Sequence, residues 1–267
     1  MPIHFTITDE YLRALVATLA IALNASAAGT LTVFRRASFL IAGSSHSALA
    51  GVALAIYFSS IGFEVDYFPP ALILAIISAV LAANSRDINT GIAISFALFM
   101  SIAVLFLSMT REFAAKAWTF LFGDLLLLTD FDLFLMSVST SLIITAVVVL
   151  YKYFIFVSFD PDGAYAFGID VKLIDYILVS LISVSVVSTL KAIGAVLVFA
   201  MFVAPAASAK EIAKNLYQVF YIAFIISLLS IVLSIFVSMS YPIPAGAFAA
   251  LVVSLIYFFI VFLKKSS

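Results

Sequence analysis

The stretch IAGSSHSALAGVAL, residues 41–54, holds one of the chain's two histidines in an otherwise apolar run, the other being His4. With Ser44 and Ser45 beside it, His46 could serve a serine–histidine hydrolase. Its neutral imidazole could instead bind a ligand. The hydrolase reading meets two obstacles. Neighbouring residues on a helix project roughly 100° apart and do not face one another, and no Gly-x-Ser-x-Gly elbow is present. Metalloprotease or di-iron chemistry needs several histidines or paired carboxylates at depth, and this chain has neither. There is no cysteine, hence no disulfide, thiolate nucleophile or cysteine-ligated metal. The inventory argues against catalysis in this chain.

The elements that must position His46 are set by composition. Of 267 residues, 66% are apolar and 10% charged, and the mean hydropathy is +1.29. A soluble domain carries about 25% charged residues and could not hide this much hydrocarbon in one core. The sequence predicts an all-α, multi-pass integral membrane protein embedded in a lipid bilayer. A net charge of −1 gives no reason to expect a nucleic-acid partner.

A spanning helix needs about 20 mostly apolar residues. Nine runs qualify, at approximately 11–34, 39–61, 69–85, 91–109, 133–157, 174–190, 192–209, 217–239 and 244–263. Only Lys191 separates the sixth from the seventh, so eight spans is the other count. If the amino terminus is outside and the carboxyl terminus cytoplasmic, Arg35, Arg36, Arg86, Lys152, Lys172, Lys210, Lys214, Lys264 and Lys265 fall inside, and Arg13, Arg111, Lys116 and Lys191 outside. Nine against four is the asymmetry of the positive-inside rule. The acids Asp9, Glu10, Glu64, Asp66, Glu112, Asp124, Asp130 and Asp132 fall outside; a solvated loop surface accounts for them more simply than an acidic mouth for cations. Ala25-Ser26-Ala27 has the small-residue look of a cleavage site, but the run lacks a basic leading region and continues to Arg35, so a retained first helix is expected.

Residues 110–132, with Trp118, Phe120 and Phe122 before Gly123, read as an interfacial segment. Residues 158–172, SFDPDGAYAFGIDVK, form the one sizeable inside loop and invite a soluble partner. On the second helix Gly43, Ser47 and Gly51 make a ladder for close helix packing. Two readings of His46 stay open: a packed helix on which it hydrogen-bonds a neighbouring backbone, and a group lining a path, since ionisable groups at membrane depth usually face a cavity. In the seventh helix Pro205 has no amide to donate, which frees the carbonyl near Met201 and lets the helix bend.

Four stretches, VFRRASFLIAGSSHSALAGVALA (33–55), TFLFGDLL (119–126), VSFDPDGAYAFGIDVKLIDYIL (157–178) and STLKAIGAVLVFAMFVAPAASAK (188–210), resemble, in this order and spacing, the permease subunit of zinc/manganese/iron-type metal-uptake ABC transporters. The likeness runs over nearly the whole chain, residues 1–267, as one transmembrane permease domain. It implies a homodimer with the path at its interface, cytoplasmic ABC ATPase subunits, and an extracytoplasmic substrate-binding protein delivering the ion. It also implies a cell-membrane location, a divalent metal ion as transported substrate and no tightly bound cofactor. Asp160, Asp162, Ala164, Ala166 and Gly168 would belong to an ATPase-coupling loop.

The family's second-helix motif is Gly-Asp-Ala-(Leu/Ile)-Ser-His, whose Asp and His share a helix face. Here Ser45 and His46 match, but Ala42 stands at the Asp position and Ile41 at the Gly position. His46 is the expected metal ligand, with Ser45 and Asp124 as further path residues. No Gly-x-x-x-x-Gly-Lys-(Ser/Thr) loop occurs, so ATP hydrolysis would reside in a separate subunit. The departure at Ala42 keeps alive a permease for a metal chelate or a non-metal solute. A partner-independent channel or secondary carrier is the reading from a different class.

Overall fold

A computed structural model describes residues 9–110, 113–241 and 243–265; His4, Arg111 and Glu112 lie outside them. The described residues form helices and connecting turns, with no strand among them. The first span opens with α1 (Asp9–Asn24), passes through one π-helical turn at Ala25–Gly29 and ends in α2 (Thr30–Phe34). α3 (Phe39–Ser60), α4 (Phe68–Ala83), α5 (Ile88–Ser108) and the short α6 (Phe113–Phe122) follow. Then come α7 (Asp130–Phe159), α8 (Pro161–Ala166), α9 (Val171–Ile193), α10 (Val198–Ile212), α11 (Leu216–Ser240) and α12 (Ala245–Lys265).

Among the described residues, seven helical segments are long and apolar enough to cross a membrane: Leu12–Phe34, α3, α5, α7, α9, α11 and α12. Each of the other two runs predicted from sequence is also a helix, but α4 has 16 residues and α10 has 15. At 1.5 Å per residue they reach about 24 and 22 Å, short of the ~30 Å hydrocarbon core.

Local chemistry sets the helix ends. Side chains of Asp87, Asp160, Asp170 and Asn215 each accept the backbone N–H three residues on, the usual N-cap arrangement. Thr129 and Asp132 close a capping box at the head of α7. α4 opens on Pro69 in its first turn, where a missing N–H has no intrahelical partner to lose. The sequence expectation of a boundary at Lys191 is corrected: α9 runs through that lysine to Ile193 and stops at Gly194, whose φ of +92° is closed to most side chains. Ala25, Ser26 and Ala27 are buried in the middle of the first span, and Ser26 Oγ donates to the Phe220 carbonyl on α11.

The first span, α3 and α9 are the most buried. α3 lies between α4 and α5, where Gly51 takes the Pro70–Ala71 backbone so closely that a Cβ would sit 2.3 Å from the Pro70 oxygen. On the periphery α7, α11 and α12 present Val148, Val149, Leu229, Phe258 and Phe262 outward, an apolar surface suited to lipid. Among the described residues, ion pairs Arg13–Asp130, Lys191–Asp132, Arg35–Asp175 and Lys264–Glu211 tie helix ends together. Each joins two residues that the distribution of bases assigns to the same face of the membrane.

Candidate functional site

α3 carries Ala42, Ser45 and His46. His46 is half-buried, and its Nδ1 lies 3.0 Å from the Ala42 carbonyl one turn back. A carbonyl only accepts, so Nδ1 bears the proton and the lone pair rests on Nε2. A hydrogen bond from the other ring nitrogen to a carbonyl orients metal-binding histidines in general. Ser45 Oγ lies 3.0 Å from both the Ala42 and Ala195 carbonyls and 3.2 Å from His46 Nδ1. Ser45 therefore ties α3 to the α9–α10 connection and stands behind the imidazole. The Phe96 ring packs on His46 at 4.6 Å between centroids.

A cleft of about 590 Å³ opens at this point, lined by Phe39, Ala42 and His46 of α3, by Asn89, Ile92, Ala93 and Phe96 of α5, and by Val196 and Phe199 at the entry to α10. The α3 residues recur at i, i+3 and i+7, and those of α5 at i, i+3, i+4 and i+7, so each helix offers one stripe. Ala42 and His46 share the cleft wall, as their spacing requires. The cleft is largely apolar, and no group of three or more His, Asp or Glu is assembled among the described residues.

Asp124 is placed elsewhere. It follows Gly123 (φ +68°), its N–H donates to the Lys191 carbonyl, and it is not among the residues lining the cleft. The same crossing is stitched by Ala195 N–H to Phe120 O and Val196 N–H to Leu121 O, at 2.8 and 3.1 Å. Trp118 and Phe122 stack at 4.7 Å on α6, while Phe120 meets Tyr67 at 5.1 Å.

The 158–172 stretch is a short helix and not only a loop. Asp160 caps α8, with Oδ1 accepting from Gly163 N–H at 2.9 Å. Ala164 is fully buried, and Gly168 (φ +81°) turns the chain toward α9. Asp162, Ala166 and Gly168 line a shallow groove with Tyr165, Asp170 and Lys172. Tyr165 and Phe167 stand out at 76% and 82% exposure. Beneath this segment Arg35 grips the Asp175 carboxylate and donates to the Val157 carbonyl at 2.7 Å, joining the end of α2 to α7 and α9. α10 is continuous through the buried Pro205.

Sequence reading missed three features. Asn89 falls just before the run that begins at 91, yet Asp87 and Thr90 form an N-cap pair that starts the helix at Ile88. The second is the fully buried Asn24, whose Nδ2 donates to Thr140 Oγ1 at 2.5 Å and whose Oδ1 accepts from Ser185 Oγ at 2.7 Å. The third is a cluster in which Asp132 receives Lys191 Nζ, the Tyr67 hydroxyl and Thr129 Oγ1 at 2.5, 2.5 and 2.6 Å. Burial and then the bond to Asp132 push the Tyr67 phenol up, so it stays a donor.

The profile of the ABC 3 transport family matches residues 8–264. The chain is 28% identical over 252 residues to the manganese transport system membrane protein MntC of Listeria innocua, covering 94% of this chain and 89% of that protein. Among solved structures it superposes on PsaBC from Streptococcus pneumoniae in complex with Fab with a TM-score of 0.84 at 23% identity, covering 98% and 96% of the two chains. An inward-facing putative metal-chelate type ABC transporter gives 0.75 at 16% identity, covering 94% and 85%. These two likenesses establish a shared fold. With seven membrane-length apolar helices, the chain is a multi-pass protein of the cell membrane.

Proposed function

The chain belongs to the ABC 3 transport family, and from that premise we propose that it is the permease subunit of an importer moving a divalent metal ion (zinc, manganese or iron) into the cell. ATP hydrolysis occurs in separate cytoplasmic subunits, and an extracytoplasmic binding protein delivers the ion. The observation that carries this reading is His46. Its imidazole is fixed by the Ala42 carbonyl with Nε2 left as acceptor, at the wall of a cleft on the protein's surface. An open half-cleft on one protomer supports a homodimer in which two copies complete the path.

The whole chain acts as one transmembrane domain of nine passages, amino terminus outside and carboxyl terminus cytoplasmic. Two contacts support the count. The Arg35–Asp175 pair fits a crossing α4, and Lys210 Nζ above the Phe34 ring at 5.2 Å fits a crossing α10. α8 and its flanks, with Asp160, Asp162, Ala164, Ala166 and Gly168, receive the ATPase and transmit its strokes, so that access alternates between the faces. Ser45 holds the His46 turn against the α9–α10 connection, and Pro205 leaves α10 without one ladder bond where it can flex.

The test is elemental analysis by mass spectrometry of cells expressing the permease with its ATPase and binding protein. One divalent metal should accumulate with wild type and not with His46→Ala at equal membrane abundance. Unchanged metal content in cells with and without the wild-type system would overturn the reading. Ala42 and the aromatic walls then favour the second reading, a permease for a metal chelate or other organic solute.

A further inference from the structure

Two adjoining hollows open along the seam between α7 and α11, and neither is lined by an acid. One, of about 460 Å³, has Lys210 and Lys214 in its walls together with Phe34, Tyr151, Ile155 and Phe159. Tyr151 also lines the second, of about 610 Å³, with Lys152, Val148, Val149, Tyr217 and Phe220. We propose that this seam binds an anionic phospholipid of the inner leaflet, its phosphate held by Lys210 and Lys214 and an acyl chain laid along Val148, Val149 and Phe220. The proposal rests on the membrane topology given above and not on the identity of the cargo.

Charge is the first reason. Lys152, Lys210 and Lys214 are all exposed, and among the described residues none of them pairs with a carboxylate. The acid next to Lys210, Glu211, is taken by Lys264 of α12 at 2.8 Å. Lys210 Nζ lies over the Phe34 ring at 5.2 Å, a contact that leaves ammonium donors for an oxygen. Basic pockets between membrane helices on the cytoplasmic side take anionic lipid headgroups, and that leaflet is the negatively charged one.

Depth is the second. α7 runs inward to Phe159 and α11 starts outward from Leu216. At 1.5 Å per residue, Val148 lies about 5 Å nearer the bilayer centre than Tyr151, and Phe220 about 9 Å nearer than Lys214. Val148 and Val149 are 72% and 69% exposed. Between the two levels Tyr151 and Tyr217 stack at 5.3 Å, where aromatic residues mark the membrane interface. Lys152 stands beside Tyr151, and its long stem can carry the ammonium toward the headgroups. The seam thus passes from base through ring to aliphatic surface in the order of a phospholipid's own parts. A free phosphate would engage only the first hollow.

Native mass spectrometry of the complete transporter, titrated in detergent with phosphatidylglycerol, phosphatidylcholine or inorganic phosphate, reads the occupancy. Phosphatidylglycerol should bind in preference to phosphatidylcholine, and inorganic phosphate should not displace it. Lys210→Gln combined with Lys214→Gln should weaken phosphatidylglycerol binding roughly thirtyfold, about fivefold for each lysine. Lys210→Arg with Lys214→Arg keeps both charges and should bind as wild type does. So should Arg86→Gln, which removes an exposed base elsewhere on the inner face. Equal occupancy by the two lipids, an unaffected double-glutamine variant, an equal loss with Arg86→Gln, or displacement by inorganic phosphate overturns the proposal. It falls too if the double-glutamine variant sheds the ATPase while keeping its lipid, since the lysines then serve that partner. A wild-type transporter that holds the lipid but accumulates no metal leaves this inference standing and strikes only the reading of the cargo.

Discussion

The ammonium of Lys191, near the end of α9, lies 2.5 Å from the Asp132 carboxylate at the head of α7, with only 4% of the Asp132 side chain exposed. Asp132 also receives the Tyr67 hydroxyl and closes the Thr129 cap. One carboxylate thus joins the start of α4, the start of α7 and the end of α9. Breaking a buried pair from one side leaves the other charge uncompensated and costs about 3–5 kcal/mol. Asp132→Ala should therefore lower the thermal midpoint of the detergent-solubilised protein sharply, and Asp132→Leu with Lys191→Met should recover much of the loss. A single mutant as stable as wild type would show that the cluster holds nothing together.

Gly194 and Gly123 cross backbone to backbone. A Cβ on Gly194 would sit 2.4 Å from the Leu121 oxygen and the Phe122 carbon, and its φ of +92° disfavours any side chain. Backbone strain alone is on the order of 1–3 kcal/mol, and the clash falls on main chain that the hydrogen bonds from Ala195 and Val196 hold in place. Gly194→Ala should reduce the folded yield in membranes and detach the α6 segment from the α9–α10 connection. Limited proteolysis near residue 123 reads this directly; an unchanged cleavage pattern would contradict it.

The buried Asn24 bridges three helices at the edge of the π-turn, donating to Thr140 and accepting from Ser185. Asn24→Ala leaves the Ser185 hydroxyl without that acceptor, and an unsatisfied buried group costs about 1–3 kcal/mol. A matching fall in unfolding free energy is expected. Asn24→Ala combined with Ser185→Ala should be milder than Asn24→Ala alone. Additive losses would argue that the two side chains are energetically independent.

Particular residues explain how far the sequence could be read. Long apolar runs fixed the helices because hydrocarbon length is a property of composition, and His46 stood out because an ionisable ring is rare in such a run. Lys191 misled for the same reason: a charge was taken to end a span, but here Asp132 neutralises it from another helix, and no local pattern announces that partner. Asn89 escapes the sequence reading because the continuous apolar run begins at 91, one residue beyond the Asp87–Thr90 cap. The π-turn at Ala25–Gly29 consists of small residues that carry no helical periodicity. Its position follows from packing of Ser26 and its neighbours against α10 and α11.

The α8 segment supplies the last prediction. Tyr165 and Phe167 are the most exposed aromatic residues of the region, on and just after a short helix pinned by the Asp160 cap and the buried Ala164. Tyr165 is 76% exposed, and the 82% exposed Phe167 meets the Phe156 ring at 5.8 Å between centroids. Exposed aromatics on a rigid, capped turn are the side chains that dominate binding interfaces. Replacing both with serine should leave the unfolding free energy within about 0.5 kcal/mol of wild type, as for surface changes generally. The same change should release the ATPase during purification and abolish metal accumulation. If the ATPase stays bound and uptake persists, the coupling contact lies elsewhere on the inner face, and the Arg35–Asp175 corner beneath α8 becomes the next place to look.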